Sequence, residues 1–466
     1  MTIQGAFKEV NKIRNESDDG ESSDEKSGID DAKSSVFVKS NKIPDNTDVV
    51  KGINFEKEVN LHEFVNQYKY MGFQATNLGI GIDEMNKMIH FKYAEGVEGA
   101  GETHDDQDRD SDGDHQALPK KKKCLIWLSF TSNMISSGLR EIFVYLAKKK
   151  FIDVVVTTAG GVEEDIIKCF SKTYLGDFNL NGKKLRKKGW NRIGNLIVPN
   201  DNYCKFEDWL QPLLNKMLHE QNRKNEELFL KKLDKRRGRR EREGKKAPSS
   251  HCAPSSCIPS SPSQSPPSPS QPSNPPCDSS DEDESDMFYL SPSEFIKKLG
   301  EEINDESSLI YWCHKNDIPV FCPGLTDGSL GDNLFFHNYG KKIKNNLILD
   351  IVKDIKKINS LALNCKKSGI IILGGGLPKH HVCNANLMRN GADFAVYVNT
   401  ANEYDGSDSG ANTTEALSWG KIKAGHTNNH VKVFGDATIL FPLMVLNTFY
   451  FHDRRGKQQE GVAQLG

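Results

Sequence analysis

One lysine stands in a segment whose neighbours suit it to covalent chemistry. Lys421 lies in Ala-Leu-Ser-Trp-Gly-Lys-Ile, residues 416–422, close to Trp419 and several apolar residues. A lysine that loses part of its hydration among apolar groups can present a neutral amine, which adds to a carbonyl or an imine. Most lysines in such a segment are surface residues, so the pattern alone leaves both interpretations open. His380 and His381, which follow three consecutive glycines, pose the same choice between a structural role and proton transfer.

Carboxylates are frequent in the polar segments that follow short apolar runs of the chain. They are Glu163, Glu164, Asp327, Asp332, Asp405, Asp408 and Glu415. Taken singly, each is explained as a helix cap or a solvated residue. Together they suit a polycationic ligand, which needs charge-assisted hydrogen bonds, and Trp419 adds an apolar or cation–π wall. The sequence shows no metal-ligand spacing, P-loop or nucleophile elbow.

The apolar runs that precede these residues predict buried strands. Seven runs are short, rich in Val and Ile, and do not alternate with polar residues: 124–130, 153–158, 195–199, 319–322, 369–373, 394–398 and 431–434. Segments with helical spacing separate most of them, for example 141–149, 206–219, 349–363 and 380–389. This pattern predicts an α/β fold with a parallel sheet covered by helices on both faces. Such sheets bind ligands beyond the carboxyl ends of their strands, so we expect the site there.

Loops of small and polar residues follow six of the runs. They begin at Thr131, Thr158, Leu325, Gly374, Asn399 and Gly435. Glycine lets a backbone approach a pyrophosphate closely, and a helix N-terminus donates hydrogen bonds to it. Several such loops on one edge favour a dinucleotide. The G-x-G-x-x-G pattern is absent, however, and ordinary turns without a ligand explain the loops about equally well.

Composition argues against several classes of protein. The chain has 466 residues, a formal net charge of −2 and 27% charged residues, with a mean hydropathy of −0.60. This balance argues against a whole-chain affinity for nucleic acid and against a protein with several membrane spans. The first residues lack the apolar core of a secretory signal, and the ten cysteines form no C-x-x-C pair. We therefore expect reduced thiols and a cytoplasmic location, with no nucleic acid or membrane as partner.

Three stretches lack the apolar residues that a core requires. They are an acidic N-terminal extension, 1–34, an acidic loop, 95–120, and a long insertion, 223–286, in which a basic run, a Pro/Ser-rich stretch and an acidic run follow one another. We predict that the extension and the insertion are disordered and that the loop is solvated. Residues 35–222 and 287–452 then form one catalytic domain, and 453–466 form a tail.

Eight stretches carry a resemblance that covers nearly all of this domain. They are GFQATNLG (72–79), TSNMISSG (131–138), TTAGGVEED (157–165), RIGNLIVPNDNYCKFEDWL (192–210), LTDGSLGD (325–332), KHHVCNANLMRNGAD (379–393), DGSDSGA (405–411) and SWGKI (418–422). They closely resemble motifs of deoxyhypusine synthase, and their number and length leave little room for chance agreement. The resemblance implies a Rossmann-like fold and a homotetramer of two tight dimers, with NAD and spermidine bound at the dimer interface.

The resemblance also implies the reaction. Spermidine is oxidised with NAD, 1,3-diaminopropane is released, and the 4-aminobutyl group passes as an imine to an enzyme lysine. The group then moves to one lysine of the precursor of translation initiation factor five A, where reduction by the bound NADH gives deoxyhypusine. Lys421 matches the imine-forming lysine, and His380 is the candidate for moving protons. The resemblance implies no metal.

Ligand contacts carry over from the family motifs to the matching positions of this chain. The NAD contacts fall on Ser132, Asn133, Met134, Ile135, Ser136, Thr158, Ala159, Gly160, Glu164, Asp327, Gly375, Thr400, Ala401, Asp436 and Ala437. The spermidine contacts fall on Glu163, Glu164, Asp332, His380, Gly406, Ser407, Asp408, Glu415, Ala416, Leu417, Ser418, Trp419, Gly420 and Lys421. The carboxylates then hold the charged ends of the amine, and Trp419 lines the methylene chain between them.

Two other functions remain open at this point. Homospermidine synthase resembles this family and transfers the same group to putrescine, and residue types alone do not separate the two enzymes. A non-catalytic paralogue is expected to have lost Lys421 or its neighbours, yet these are present. The acidic extension and the insertion depart from the family pattern. The family's N-terminal segment includes a short helix that can cover a neighbouring subunit's site, and residues 32–40 match its place.

Overall fold

The computed structural model describes residues 28–93, 122–243, 287–341, 346–425 and 429–455. The helices in these ranges are α1 (Gly28–Val36), α2 (Leu61–Gln67), α3 (Phe73–Tyr93), α4 (Ser132–Ser136), α5 (Leu139–Lys148), α6 (Ala159–Phe170), α7 (Gly182–Lys187), α8 (Asp201–Glu243), α9 (Pro292–Ile303), α10 (Leu309–Lys315), α11 (Ser329–Asn338), α12 (Ile351–Leu363), α13 (Gly376–Leu387), α14 (Thr413–Ser418) and α15 (Ala437–Val445). The strands are β1 (Lys122–Phe130), β2 (Val154–Val156), β3 (Tyr174–Leu175), β4 (Trp190–Ile193), β5 (Leu196–Pro199), β6 (Val320–Phe321), β7 (Cys365–Leu373), β8 (Phe394–Asn399) and β9 (His430–Phe434).

Six strands form one parallel sheet in the order β6-β2-β1-β7-β8-β9. The longest register joins β1 to β7, from Lys122 opposite Cys365 to Phe130 opposite Leu373. The chain starts with β1 at the centre of the sheet and adds β2 and β6 on one side. It then adds β7, β8 and β9 on the other side, which is the doubly wound order of a Rossmann-like fold. All six carboxyl ends therefore meet at one edge, hereafter the carboxyl edge. The direction of winding reverses between β1 and β7.

Both faces of this sheet are buried, which explains why its strands do not alternate between apolar and polar residues. Ile126 and Leu128 join a core with residues of α3, α5, α6 and α15. Leu125 and Trp127 join a second core with residues of α12, α13 and α14. The predicted α/β fold, with a parallel sheet covered on both faces, is confirmed.

One predicted strand belongs elsewhere. The run 195–199 forms β5, which pairs antiparallel with β3 and β4 in a separate three-stranded sheet. Ile193 and Leu196 lie opposite each other across the two-residue turn Gly194-Asn195, in which Gly194 has a φ of +58°. Glycine next to asparagine between two short apolar runs is a hairpin signal. The prediction that 195–199 joins the parallel sheet is wrong because it overlooks this turn.

Helix α8 continues into the segment predicted as a disordered insertion. It ends at Glu243, so the boundary placed between residues 222 and 223 falls inside the helix. Leu, Lys, Arg and Glu dominate this stretch and favour helix, and the first proline of the insertion is Pro248. Arg223 and Glu227 form an ion pair one turn apart, at 2.6 Å. Residues 244–286, the loop 95–120 and the termini 1–27 and 456–466 lie outside the described residues.

The two flanks of the insertion lie close together. Asn225 Nδ2 donates to the carbonyl of Phe288 (3.2 Å), and Phe288 N donates to Asn225 Oδ1 (2.5 Å). The chain therefore leaves and re-enters the domain at neighbouring points. At the other end of the chain, residues 28–34 of the predicted extension lie in α1. Among the described helices, none combines the length and the apolar character that a membrane span requires.

Candidate active site

Three loops touch at the carboxyl edge, where the direction of winding reverses. A Cβ added at Gly160, in the loop after β2, would lie 2.7 Å from Ser132 Cβ in the loop after β1. One added at Gly374, after β7, would lie 2.6 Å from Thr131 Oγ1. The missing side chains are what let these loops approach one another. The structure thus brings together the predicted cofactor residues of these loops: Ser132, Asn133, Met134, Ile135, Ser136, Thr158, Ala159, Gly160 and Gly375.

The N-terminus of α6 opens onto these loops without a side-chain cap. Its N-cap residue, Thr158, makes no capping hydrogen bond, and the buried Thr158 Oγ1 has no partner among the described residues. Uncapped backbone N–H groups and an unpaired hydroxyl suit an anionic group such as a pyrophosphate. The N-terminus of α13 is partly satisfied, because Gly376 N donates to Ser409 Oγ (2.8 Å). The residues present therefore fit a dinucleotide, with α6 as its anion-binding helix.

The loops after β8 and β9 complete this edge. Asn399 Nδ2 donates to Gly374 O (3.2 Å), and Asn399 Oδ1 accepts from Ala401 N (3.1 Å), which fixes Ala401 and its neighbour Thr400 beside the loop after β7. Asp436, one residue before Ala437, caps α15 by accepting from the backbone and hydroxyl of Thr438. Asp327 is exposed before α11. Asn399, named above only as the start of a loop, is not among the predicted ligand contacts, although it directly precedes Thr400 at the end of β8.

Two adjacent carboxyl groups on α6 have different surroundings. Glu163 accepts from Leu330 N (2.7 Å) at the start of α11, and burial raises the pKa of its carboxyl to about 7. Glu164 accepts from the hydroxyl of Tyr203 (3.1 Å), and burial also raises its pKa. Asp332 lies in the first turn of α11, on the helix that Glu163 caps, and it is exposed. These three residues form the first acidic group of the site, hereafter the α6–α11 group.

A helix end positions Lys421. The helix α14 ends at Ser418, Trp419 is its C-cap, and Gly420 has a φ of +71°. Gly420 N donates to Leu417 O and Lys421 N to Ala416 O, both at 2.9 Å, which is the Schellman pattern of a glycine-terminated helix. The Lys421 amine then lies 5.7 Å from the centroid of the exposed Trp419 ring. Among the described residues, no hydrogen bond or ion pair holds this amine.

His380 lies beside Asp408 in the same region. His380 Nδ1 is 3.2 Å from Asp408 Oδ1, and Asp408 Oδ2 is buried without a partner in the described part of the chain. Lys379, which sequence analysis did not single out, is buried and donates to the carbonyls of Asp408 and Ala411. Burial lowers the pKa of Lys379. In the sequence, only the position of Lys379 next to His380 indicated a role, and the burial of the Lys379 side chain was not predictable.

The predicted spermidine residues therefore fall into two groups. The second group, hereafter the α13–α14 group, contains His380, Gly406, Ser407, Asp408, Glu415, Ala416, Leu417, Ser418, Trp419, Gly420 and Lys421. Over the described ranges, no hydrogen bond or ion pair joins it to the α6–α11 group. The segments that carry the two groups are nevertheless in contact. A Cβ added at Gly324, in the loop before α11, would lie 2.9 Å from Leu377 Cδ2 on α13. Both groups thus lie at the carboxyl edge, on segments that are in contact.

Comparison with known proteins gives one consistent family. A family model described as deoxyhypusine synthase matches residues 63–247 and 274–448. Deoxyhypusine synthase from Senecio vernalis is 43% identical over 433 residues, covering 92% of this chain and 96% of the relative. That from Arabidopsis thaliana is 43% identical over 418 residues, covering 89% and 94%. That from Kluyveromyces lactis is 45% identical over 421 residues, covering 89% and 95%.

Proposed function

The chain belongs to the deoxyhypusine synthase family, and we infer that it is an active transferase. It moves the 4-aminobutyl group of spermidine to one lysine of the precursor of translation initiation factor five A and releases 1,3-diaminopropane. The observation that carries this function is the Lys421 amine, which no described residue pairs, beside Trp419 at the place of the family's imine-forming lysine. A regulatory paralogue would not need this amine. The acceptor is a translation factor, so we place the reaction in the cytoplasm.

We propose that NAD binds where the loops after β1, β2 and β7 meet. The uncapped N-terminus of α6 and the Thr158 hydroxyl, which has no partner among the described residues, support the pyrophosphate. Gly160 and Gly375 let the surrounding loops pack closely, because an added Cβ would lie 2.7 Å from Ser132 Cβ and 2.6 Å from Ser409 Cβ. Asp327, Thr400, Ala401, Asp436 and Ala437 line the same edge. NAD supplies, when bound, the oxidant for the amine and the reductant for the final product. The protein's part is to hold the reacting carbon there and to move protons.

The covalent steps belong to Lys421. Its neutral amine forms a C=N bond to the butyl carbon of the oxidised spermidine, and the bond from that carbon to the nitrogen of 1,3-diaminopropane breaks. The acceptor lysine displaces Lys421 by the same exchange, and two-electron reduction of the new C=N bond gives deoxyhypusine. His380, with Nδ1 toward Asp408, has its Nε2 to take and return the protons.

Carboxylates hold the substrate. Spermidine carries positive charges separated by methylene chains, and the acids of both groups supply charge-assisted hydrogen bonds to its ends. Trp419 lines the chain between them and offers its ring face to an ammonium. Binding of a cationic amine explains why acidic residues are frequent at an edge that also binds an anionic cofactor.

We propose that the site is completed across a subunit interface within a homotetramer. Among the described residues, no hydrogen bond or ion pair joins the two groups, and exposed aromatic residues flank the first of them. Phe335, Phe336 and Tyr339 are exposed on or just after α11, one to two turns after Asp332. Phe37 is likewise exposed, just beyond α1. Apolar patches of this kind mark interaction surfaces, and a second copy packed here brings another α13–α14 group toward the α6–α11 group.

Product analysis tests this function. The enzyme is incubated with NAD, spermidine and the acceptor protein, and the acceptor lysine is analysed by mass spectrometry. We expect a 4-aminobutyl addition on one lysine and an equal amount of 1,3-diaminopropane. A parallel reaction with putrescine in place of the acceptor protein should give little homospermidine. Efficient homospermidine formation without protein modification would identify the alternative enzyme. If neither deoxyhypusine nor homospermidine forms, the proposal of an active transferase is contradicted.

A further inference from the structure

The longest stretch of the family resemblance, residues 192–210, supplies none of the predicted ligand contacts. The structure nevertheless places one of its side chains against the site. Tyr203, on α8, donates its hydroxyl to Glu164 Oε1 at 3.1 Å. Glu164 is 4% exposed, and its other oxygen, Oε2, is buried without a partner among the described residues. A buried carboxylate with one anchored and one unpaired oxygen requires a donor from elsewhere.

The position of Tyr203 is fixed by packing rather than by the site. Asn202 Nδ2 donates to Lys172 O (3.1 Å), which ties the start of α8 to the segment that follows α6. Phe206 is fully buried, and Trp209 packs against Phe170 of α6 with ring centroids 5.6 Å apart. Because α6 also carries Glu164, the Tyr203 hydroxyl and the Glu164 carboxylate lie on two helices that are packed in a fixed relative position. A hydrogen bond between such rigid elements orients the carboxylate.

We propose that Tyr203 is a positioning residue for the transfer reaction, holding Oε1 of Glu164 so that Oε2 meets an ammonium of spermidine. The proposal rests on the proposed function, which places Glu164 in the substrate site. Tyr203 does not touch the reacting atoms. It acts by fixing the direction of the carboxylate and by favouring its charged form, since a hydrogen bond from a hydroxyl stabilises an anion.

Charged groups around Glu164 set the sign of a pH effect. Burial raises the pKa of Glu164, and the hydrogen bond from the Tyr203 hydroxyl on α8 and the charge of Lys168 on α6 oppose this rise. Glu163 is its acidic neighbour on α6. Lys168 cannot move to compensate for a lost hydroxyl, because its amine is held by the carbonyls of Ile135 and Ser136 (both 2.7 Å) and of the next residue. Removing the hydroxyl therefore raises the pKa of Glu164 further, and more of it is protonated at a given pH.

The test compares Tyr203→Phe with Tyr145→Phe in the full-length enzyme. Tyr145 also donates to a carboxylate, Asp453 (3.4 Å), but lies away from the carboxyl edge. For Tyr203→Phe we expect the KM for spermidine to rise roughly tenfold, the scale of one hydrogen bond to a charged group, with a smaller change in kcat. The acidic limb of the kcat/KM profile should move to higher pH. Tyr145→Phe should leave the KM and the limb as in the wild type.

Repeating the Tyr203→Phe substitution in a Glu164→Gln enzyme tests whether its effect depends on Glu164. In Glu164→Gln, adding Tyr203→Phe should cause no further shift of the limb and a smaller change in KM. The inference is overturned if Tyr203→Phe behaves like Tyr145→Phe, or if its effect is undiminished in Glu164→Gln. If Tyr203→Phe does not fold, Glu164→Asp, which withdraws the carboxylate from the hydroxyl, should give the same limb shift, and an unmoved limb overturns the inference. A wild-type enzyme that forms no deoxyhypusine would instead refute the proposed function.

Discussion

Replacing Glu163 with Gln should stabilise the ligand-free enzyme at alkaline pH while weakening its binding of spermidine. Glu163 is 6% exposed, and burial raises the pKa of its carboxyl to about 7 from an ordinary 4.5, against the opposing effect of the backbone N–H groups of Leu330 and Ser329. Each pKa unit corresponds to about 1.4 kcal/mol, so the ionised carboxylate destabilises the folded state by about 3 kcal/mol.

The pH dependence follows from which state releases its proton first. Below about pH 4.5 the carboxyl is protonated in both the folded and the unfolded chain. As the pH rises from about 4.5 to 7, the unfolded chain ionises first and the folded state loses stability; above about 7 the loss is complete. Gln stays neutral and keeps an oxygen for Leu330 N. The variant should therefore match the wild type near pH 4.5 and exceed it at pH 8.

Thermal unfolding measured from pH 4.5 to 8.5 checks this prediction. We expect the melting temperature of Glu163→Gln to exceed that of the wild type by about 5 °C at pH 8, since a kcal/mol shifts a large domain by a few degrees. Spermidine should shrink the difference, because its ammonium stabilises the ionised carboxylate. An equal difference at pH 4.5 and pH 8, or a variant less stable at pH 8, would refute the reasoning.

Asp165, two residues along the same helix, is the matched control. It is fully buried but pairs with Arg140 (2.7 Å) and accepts from Ser308 Oγ and Leu309 N. Asp165→Asn leaves the Arg140 charge buried without its partner, which should destabilise the protein by about 3–5 kcal/mol at neutral pH. The two neighbouring amide substitutions should therefore act in opposite directions.

Three further results are expected. Lys421→Arg should nearly abolish aminobutyl transfer while NAD binding is retained, because arginine supplies no neutral amine. The control is Lys423→Arg, which should stay active in the same product assay, since Lys423 pairs with Asp393 (3.1 Å). Asp332→Asn should weaken spermidine binding by about one to two decades and NAD binding far less, as measured by calorimetry; equal losses would make the acid structural. Deleting residues 228–285, which spares the contact of Asn225 with the segment after the insertion, should keep activity and change stability by less than ~1 kcal/mol, with a shuffled insertion of equal length as control. A folded but inactive deletion variant would show that the insertion serves the site or acceptor docking.

The parallel sheet was predictable from the sequence because its strands are buried on both faces. Runs such as 369–373 lack alternation between apolar and polar residues, and this pattern is typical of a parallel sheet covered by helices. The small and polar residues after six of the seven runs then predicted the edge of the sheet that binds ligands. Two errors had local causes. The run 195–199 joins a hairpin through the turn at Gly194 instead of the parallel sheet, and residues 223–243, predicted as part of a disordered insertion, are rich in charged residues that favour helix.

The roles that depend on contacts between distant residues were not predictable in this way. Glu163, Glu164 and Asp165 are adjacent acids in one motif, yet the first caps α11, the second accepts from Tyr203, and the third pairs with Arg140. Their partners come from elements far apart in the chain, so no pattern within the motif separates their roles. The assignment of ligand contacts to individual residues stays a prediction from the family resemblance.

Trapping the enzyme-bound imine tests the central claim most directly. The enzyme is incubated with NAD and spermidine without acceptor, treated with borohydride to reduce any C=N bond, digested, and analysed by mass spectrometry. We expect a stable 4-aminobutyl group on Lys421 and on no other lysine, including Lys423. This group should disappear when acceptor protein is added before the borohydride. A label on another lysine, or no label in an enzyme that still modifies the acceptor, would contradict the role of Lys421 as the covalent carrier.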